Sequence, residues 1–258
     1  MTLGATLSAE LSRAPLAVFD ELDSTKEEAR RRAALSVEPG WILALRQTDG
    51  RGRQGREWQA PPGNLSVTGY CFHQSPITEL PQLSFVAALA AYDCAAAFLP
   101  EGSAALSLKW PNDILLGGQK LAGLLLESGQ GSGGGNWVSI SVGMNLAAAP
   151  SAEMIGQAAA CIAEHCPPPT PAQAARAFEK SLIEHLNTLE ESGFATIRRV
   201  WLERAAGLGQ SIKVQLPHET LLGVFEGLSE DGSLLLKVSE GDIRAITAGD
   251  VFFAQETD

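Results

Sequence analysis

Apolar runs of two different periods alternate along the chain, and turn-forming residues mark where each run stops. Residues 15–20 predict a short strand, after which Asp23-Ser24-Thr25 opens a helix to about residue 35. Ser24 and Glu27 have capping-box spacing, Glu27 and Glu28 fall in the first turn, and Arg30, Arg31 and Arg32 lie toward the other end. Cap and helix dipole therefore agree. Residues 41–47 predict a second strand, and the alternation over 64–72 a third. An Ala- and Leu-rich helix from Pro81 to about residue 99 is expected to cover one face of the sheet. Strands follow at 106–110 and 114–116, with Gly117-Gly118 as a tight hairpin turn and 120–127 as the returning strand. Residues 129–135 predict a flexible glycine loop, 137–142 another strand, and 152–166 a helix. A proline-rich break at 167–171 leads into helices at 170–192 and 194–206, where Thr170 serves as N-cap and Pro171 takes the first helical position.

From residue 210 the pattern changes to five short strands, 211–216, 221–227, 233–238, 243–246 and 251–253, whose spacing suggests a small barrel. We place a domain boundary near Gly207. Residues 1–206 read as an α+β domain, because strands and helices do not alternate strictly, and residues 207–258 as a small β-barrel.

Composition narrows the function. With 19 Lys plus Arg against 30 Asp plus Glu, the formal net charge is −11. That balance, with no basic face, argues against a nucleic-acid partner, whose affinity comes mainly from neutralised phosphates. No run of eighteen apolar residues occurs and the N-terminus lacks a basic region followed by an apolar one, so neither a membrane span nor a signal peptide is expected. A cytoplasmic location follows as the default. The four cysteines are irregularly spaced and suit reduced thiols. Cys161, His165 and Cys166 lack a second ligand pair and read as a helix end rather than a metal site.

Against this acidic background the segment 47–58, QTDGRGRQGREW, is conspicuously basic, with Arg51, Arg53 and Arg56 close behind Arg46. Its glycines let backbone N–H groups approach a ligand, and guanidinium forks match carboxylate or phosphate oxygens. A phosphate-bearing small molecule is the guest this chemistry suits; the plainer alternative is a solvated turn. Gly50, Gly52 and Gly55 also satisfy a G-x-G-x-x-G pattern. That fingerprint needs a helix to begin at the glycines, and Pro61, Pro62 and Gly63 prevent one.

Taken together, GRGRQGREW, KWPNDILL over 109–116, and Gly118-Gln119-Lys120-Leu121-Ala122-Gly123 followed by LLLES resemble the biotin protein ligases. Ser24-Thr25, Gln47 and the small C-terminal barrel stand in that family's order, from about Val18 onward. The resemblance implies a class II synthetase-like catalytic domain, built on a central mixed or antiparallel sheet with flanking helices, and an SH3-like barrel. It also implies two reactions: biotin and ATP form biotinyl-5′-adenylate, and a lysine of a biotin carboxyl carrier domain, as in acetyl-CoA carboxylase, then takes the biotin. By resemblance Lys120 and Arg51 are catalytic, Lys120 being the cation at the reacting carboxylate and phosphoryl oxygens. Biotin falls to Ser24, Thr25, Gln47, Gly50, Arg51, Gly52, Arg53 and Lys120. The nucleotide falls to Arg51, Arg53, Arg56, Trp58, Lys109, Asn112, Asp113 and Asn145, with Asp113 a weak candidate for Mg²⁺ held mainly through phosphates. The arginine loop is expected to order over the adenylate.

Three positions depart from the family pattern. Lys26 replaces a frequent Asn after Ser-Thr, Ser141 replaces a common glycine and is expected to alter the strand end near the nucleotide, and Asp49 sets a carboxylate beside the anion site, where it either weakens ATP binding or pairs with an arginine. The stretch ahead of Val18 is too short for the DNA-binding module of bifunctional members. A monomer or a homodimer fits equally. The alternatives are a lipoate protein ligase, whose paired arginines before three glycines have no match at Gly133–Gly135, and a non-catalytic adenylate-binding protein, which would have little use for Lys120.

Overall fold

Side chains on a strand alternate between faces, so a sheet sandwiched between helices must be apolar on one face and carries its chemistry on whatever part of the other is left open. The protein follows this logic. In a computed structural model, residues 2–35, 38–73, 80–131, 135–155, 157–239 and 241–253 are described. The elements run α1 (Leu3–Leu11), β1 (Leu16–Phe19), α2 (Thr25–Leu35), β2 (Gly40–Ala44), β3 (Leu65–His73), α3 (Leu80–Ala96), β4 (Leu106–Lys109), β5 (Asp113–Leu116), β6 (Gln119–Gln130), β7 (Asn136–Met144), α4 (Ala152–Ile155) and α5 (Pro171–Glu203). Strands β8 (Ser211–Gln215), β9 (Thr220–Leu228), β10 (Leu234–Lys237), β11 (Ile243–Ile246) and β12 (Asp250–Phe253) follow.

The first seven strands form one mixed sheet in the order β1-β2-β3-β7-β6-β5-β4, parallel only between β1 and β2. One face carries Trp41, Leu43, Leu65, Val67, Val138, Ile140 and Val142 into a single core with residues of α1, α3 and α5. On the other face α2 buries Ala29 and Ala33 against Ile42, Tyr70, Phe72 and Trp137. That short helix leaves the middle of β3, β7 and β6 uncovered. Helix α5 begins with a full Thr170–Gln173 capping box and bends at Gly193 (φ 72°, ψ 170°), where the sequence divides it in two. Asp93 of α3 holds both limbs, 2.6 Å from His185 Nε2 and 2.7 Å from Arg204 Nη1.

Several expectations are corrected. Helix α1 was not foreseen, although Leu3, Leu7 and Leu11 recur at helical spacing and are all buried. The helix expected over 152–166 is only α4 and a 3₁₀ turn at Ile162–Glu164. Between them Ala158 and Ala160 bond the backbone of Lys120, a tertiary pairing that overrides helix propensity. Strand β6 extends to Gln130, so the expected glycine loop is shorter; residues 132–134 of it lie outside the described residues. Glu27 pairs with Lys26 and Arg30 instead of completing a capping box with Ser24. The five C-terminal strands form a sheet in the order β11-β10-β9-β8-β12 that does not close into a barrel. The hairpin turn holds as expected, with Gly117 and Gly118 at φ 58° and 78°.

Candidate active site

Directly paired residues share a face, so the uncovered part of the sheet is a ladder of rows. Ser66, Gly143 and Gly123 form the first row, Thr68, Ser141 and Leu125 the second, and Tyr70, Ser139 and Glu127 the third. The first row is a saddle of glycines because the indole of Trp58 lies on it: a Cβ at Gly143 would sit 2.3 Å from Trp58 Cε2, and one at Gly123 3.3 Å from Cζ3. Lys120 Nζ stands 5.8 Å from the Trp58 ring centroid. Trp58 Nε1 and Ser66 Oγ are buried on this wall without a hydrogen-bond partner among the described residues.

The second row is polar. Gln47 Oε1 accepts hydrogen bonds from Thr25 N (2.8 Å) and Thr25 Oγ1 (3.1 Å). Thr68 Oγ1 donates to Thr25 Oγ1 at 2.9 Å and lies 2.9 Å from Ser141 Oγ. Ser24 is buried at the same end; its N–H donates to Asp23 Oδ1, a carboxylate lowered to about 2 chiefly by its hydrogen bond from Arg31. Ser141 is thus part of a chain of hydroxyls rather than a disturbance of the strand.

The arginine segment is a miniature hairpin. Trp58 N donates to Gly50 O (2.9 Å) and Gly52 N to Arg56 O (2.7 Å), with Gln54 and Gly55 at positive φ (55° and 73°) at the tip. Arg51 pairs with Asp49 at 2.6 Å, one of the two outcomes its position allowed. Arg53 donates to Asn112 Oδ1 at 3.2 Å, and Arg56 pairs with Asp250 of β12. The loop therefore bridges the KWPND segment and the C-terminal sheet.

Opposite stands Lys120, whose ammonium lies 2.8 Å from Asp113 Oδ1 and whose backbone is bonded to Ala158 O and Ala160 N. Asn145 is 2% exposed and donates to Ala160 O at 3.1 Å, tying the end of β7 to that segment. Burial holds the Lys109 ammonium below the ordinary lysine value; it lies 5.6 and 5.7 Å from the ring centroids of Phe252 and Phe253. Lys26 sits at the far end of the site, 3.0 Å from Glu127. Burial opposes its charge, but the Glu127 and Glu27 carboxylates raise its pKa above the ordinary value.

Most of these groups line one cavity of about 600 Å³. Among the described residues six cationic side chains line it against Glu57, Asp113 and Asp250, so an acidic protein encloses a cationic chamber. The residues singled out from sequence meet here with one exception. Gly50 does not line the cavity; its role is steric, since a Cβ there would lie 2.6 Å from Trp58 O. Sequence reasoning missed Ser66, Thr68, Trp110, Gln157, Asp250 and Phe252, of which all but Thr68 line the cavity. The alternation Ser139-x-Ser141-x-Gly143 in β7 was a usable sign of a polar sheet face; nothing local marks Asp250 or Phe252, which arrive from another sheet.

Comparison with known proteins extends the picture. Residues 18–145 match the biotin/lipoate A/B protein ligase family, and residues 207–254 match the biotin protein ligase C-terminal domain. The chain is 40% identical to a biotin--[acetyl-CoA-carboxylase] ligase of Paracoccus denitrificans, with 90% of this chain and 97% of the relative covered. It is 30% identical to the enzyme of that name from Mycobacterium tuberculosis, covering 92% and 88%. Its backbone resembles the biotin protein ligase of Aquifex aeolicus in complex with biotin and ATP, with a TM-score of 0.75, 27% identity, and 92% and 97% of the two chains covered. Fold and site together define a ligase built to hold an organic acid and a nucleotide in one chamber. The chain belongs to the biotin protein ligase family.

Proposed function

We propose that this enzyme condenses biotin with ATP to biotinyl-5′-adenylate and passes the biotin to a lysine of a biotin carboxyl carrier domain. The observation that carries this reading is that Lys120 and the arginine hairpin face the same 600 Å³ cavity, one end of it a hydroxyl and amide network and the other strongly cationic. The neutral ureido head of biotin suits the Ser24, Thr25 and Gln47 end, while the carboxylate reaches toward Lys120. The triphosphate suits Arg51, Arg53, Arg56 and Lys109, with Asn112 and Asn145 beside them.

Chemically, a carboxylate oxygen attacks the α-phosphorus and the bond to pyrophosphate breaks. Two anions must meet for this, and a fixed ammonium at the meeting point follows the charge as it moves. The neutral amine of the carrier lysine then attacks the acyl carbon and AMP leaves. A mixed anhydride hydrolyses in water, which gives the arginine hairpin, held to the C-terminal sheet by Arg56 and Asp250, the task of covering it. Among the described residues no three His, Cys, Asp or Glu side chains cluster as a protein-only metal site, and Asp113 is already paired with Lys120. That donor set fits Mg²⁺ brought in on the nucleotide phosphates: Asp113 is the carboxylate that would help hold it, and the ion would supply further charge neutralisation there. Among the described residues no helix is long and apolar enough to cross a membrane.

The test is pyrophosphate release in the presence of ATP with biotin, with lipoate, or with neither, followed by transfer of the labelled acid to biotinyl and lipoyl carrier domains. Release and transfer that require biotin are expected. Preference for lipoate, or release without an acid, refutes the reading.

A further inference from the structure

The acid channel has a glycine row under the Trp58 indole, a hydroxyl-bearing row beyond it, and an end. Its lining includes Leu125 and Ser141 of the second row but neither Glu127 nor Ser139 of the third. At that limit stands Lys26, the residue after the Ser24-Thr25 pair, at the start of α2. Its side chain is only 14% exposed and reaches across to β6, 3.0 Å from Glu127, with Glu27 at 3.3 Å on its other side. The ion pair therefore closes the gap between helix and sheet, and does so in a setting where neither partner is left uncompensated.

Distance supports the same conclusion. Gly123, beside which Lys120 Nζ stands, and Glu127 are four residues apart on β6, which corresponds to roughly 14 Å of extended chain. That is the scale of an extended five-carbon acid joined to a fused bicycle, carboxylate at one end and bicycle against the other. Behind the pair lies Ser139 Oγ, fully buried and without a hydrogen-bond partner among the described residues, so the third row continues the polar floor beyond the wall.

We propose that Lys26 and Glu127 form the end wall of the acid channel and that Lys26 determines the size of the head group the enzyme accepts. The inference rests on the reading of the site as an acid-activating chamber and adds to it a determinant of specificity. Truncating Lys26 removes the wall and opens the row containing Ser139. Biotin then loses its end contact, and acids with an enlarged head gain room. The nucleotide end, four residues away along β6 and beyond Lys120, is unaffected.

The experiment compares kcat/KM for ATP-dependent pyrophosphate release with biotin and with biotin methylated on a ureido nitrogen, in the wild type, Lys26→Ala and Lys26→Arg. The alanine variant is expected to narrow the preference for biotin at least tenfold, raising KM for biotin while leaving KM for ATP within twofold. The arginine variant, which keeps the pair, retains the wild-type preference. An unchanged preference in a Lys26→Ala protein that melts like the wild type overturns the proposal, as does an equal rise in both KM values. Should that variant fail to fold, Glu127→Gln replaces it and is expected to raise KM for biotin alone. Wild-type protein that releases no pyrophosphate with biotin and ATP instead overturns the functional reading itself.

Discussion

Replacing Gly143 with alanine isolates the part of the site that depends on packing alone. The backbone there is outside the left-handed region, so the added methyl carries no conformational strain. Its only difficulty is space. The new Cβ would lie 2.3 Å from Trp58 Cε2 and 2.4 Å from Nε1, whereas ordinary carbon contacts begin at about 3.5 Å. The indole must move by roughly 1 Å, and it is pinned from behind by the Trp58 N to Gly50 O hydrogen bond and hemmed in by Gly123. Overpacking of this kind costs about 1–3 kcal/mol. The larger effect falls on chemistry, because the displaced ring lies 5.8 Å from Lys120 Nζ and forms a wall of the cavity in which the reactants would meet. A misplacement of about 1 Å can cost on the order of a hundredfold in rate. Gly143→Ala is thus expected to melt a few degrees lower, to shift tryptophan emission, and to lose roughly a hundredfold in kcat/KM for biotin-dependent pyrophosphate release. Wild-type kinetics with an unchanged emission spectrum would show that the indole does not form this wall.

Three further outcomes follow from single groups. Lys120→Ala should lower the adenylation rate by about a hundred- to a thousandfold, or about 2.7–4 kcal/mol, without unfolding the protein, since the backbone bonds of Lys120 to Ala158 and Ala160 remain and the ion pair with Asp113 is what is lost; a loss under tenfold argues against its role. Because burial lowers the Lys109 pKa from 10.5, its charge is present below that depressed value and lost as pH rises through it. KM for ATP should therefore rise at a pH below 10.5, and Lys109→Arg should abolish that rise; a flat profile that matches the variant's contradicts the assignment. Burial pushes the Asp93 carboxyl up, but its hydrogen bond to His185 and the charge of Arg204 outweigh this and lower its pKa below 3.8. Its contribution is then complete above pH 3.8 and lost as pH falls through the folded value, so Asp93→Asn should reduce stability at neutral pH by about 1–2 kcal/mol, allowing for its partial exposure. Urea titrations that show no difference at pH 7 would refute this.

The site was more legible than the fold around it. The arginine hairpin stands out because glycines beside charged side chains have no place in a core, whereas Lys120 and Ser24-Thr25 are legible only through the resemblance of their contiguous motifs to the biotin protein ligases. Helix α1 was overlooked since nine residues of weak amphipathic pattern are marginal by themselves and become a helix only when α5 and the sheet cover Leu3, Leu7 and Leu11. The stretch around Ala158 and Ala160 reads as helical locally, but those two residues give their backbone bonds to Lys120, a partner some forty residues earlier that no local pattern reveals.

What the amino-acid order determined by itself was local: strand and helix periods, the Gly117-Gly118 turn, the Thr170 cap, the bend at Gly193, and a cluster of cations on an acidic chain. Tertiary structure alone decided which of these share a chamber. It set Asp250 and Phe252 from the C-terminal sheet at its mouth, gave Gly50 a steric rather than a binding part, and turned Ser141 from a departure into a link between Thr68 and the open channel. It also placed Lys26 across from Glu127, a hundred residues away in sequence. Periodicity reports which face a side chain takes, whereas the pairing of β3, β7 and β6 decides which side chains stand in the same row, and that register is set by burial across the whole sheet.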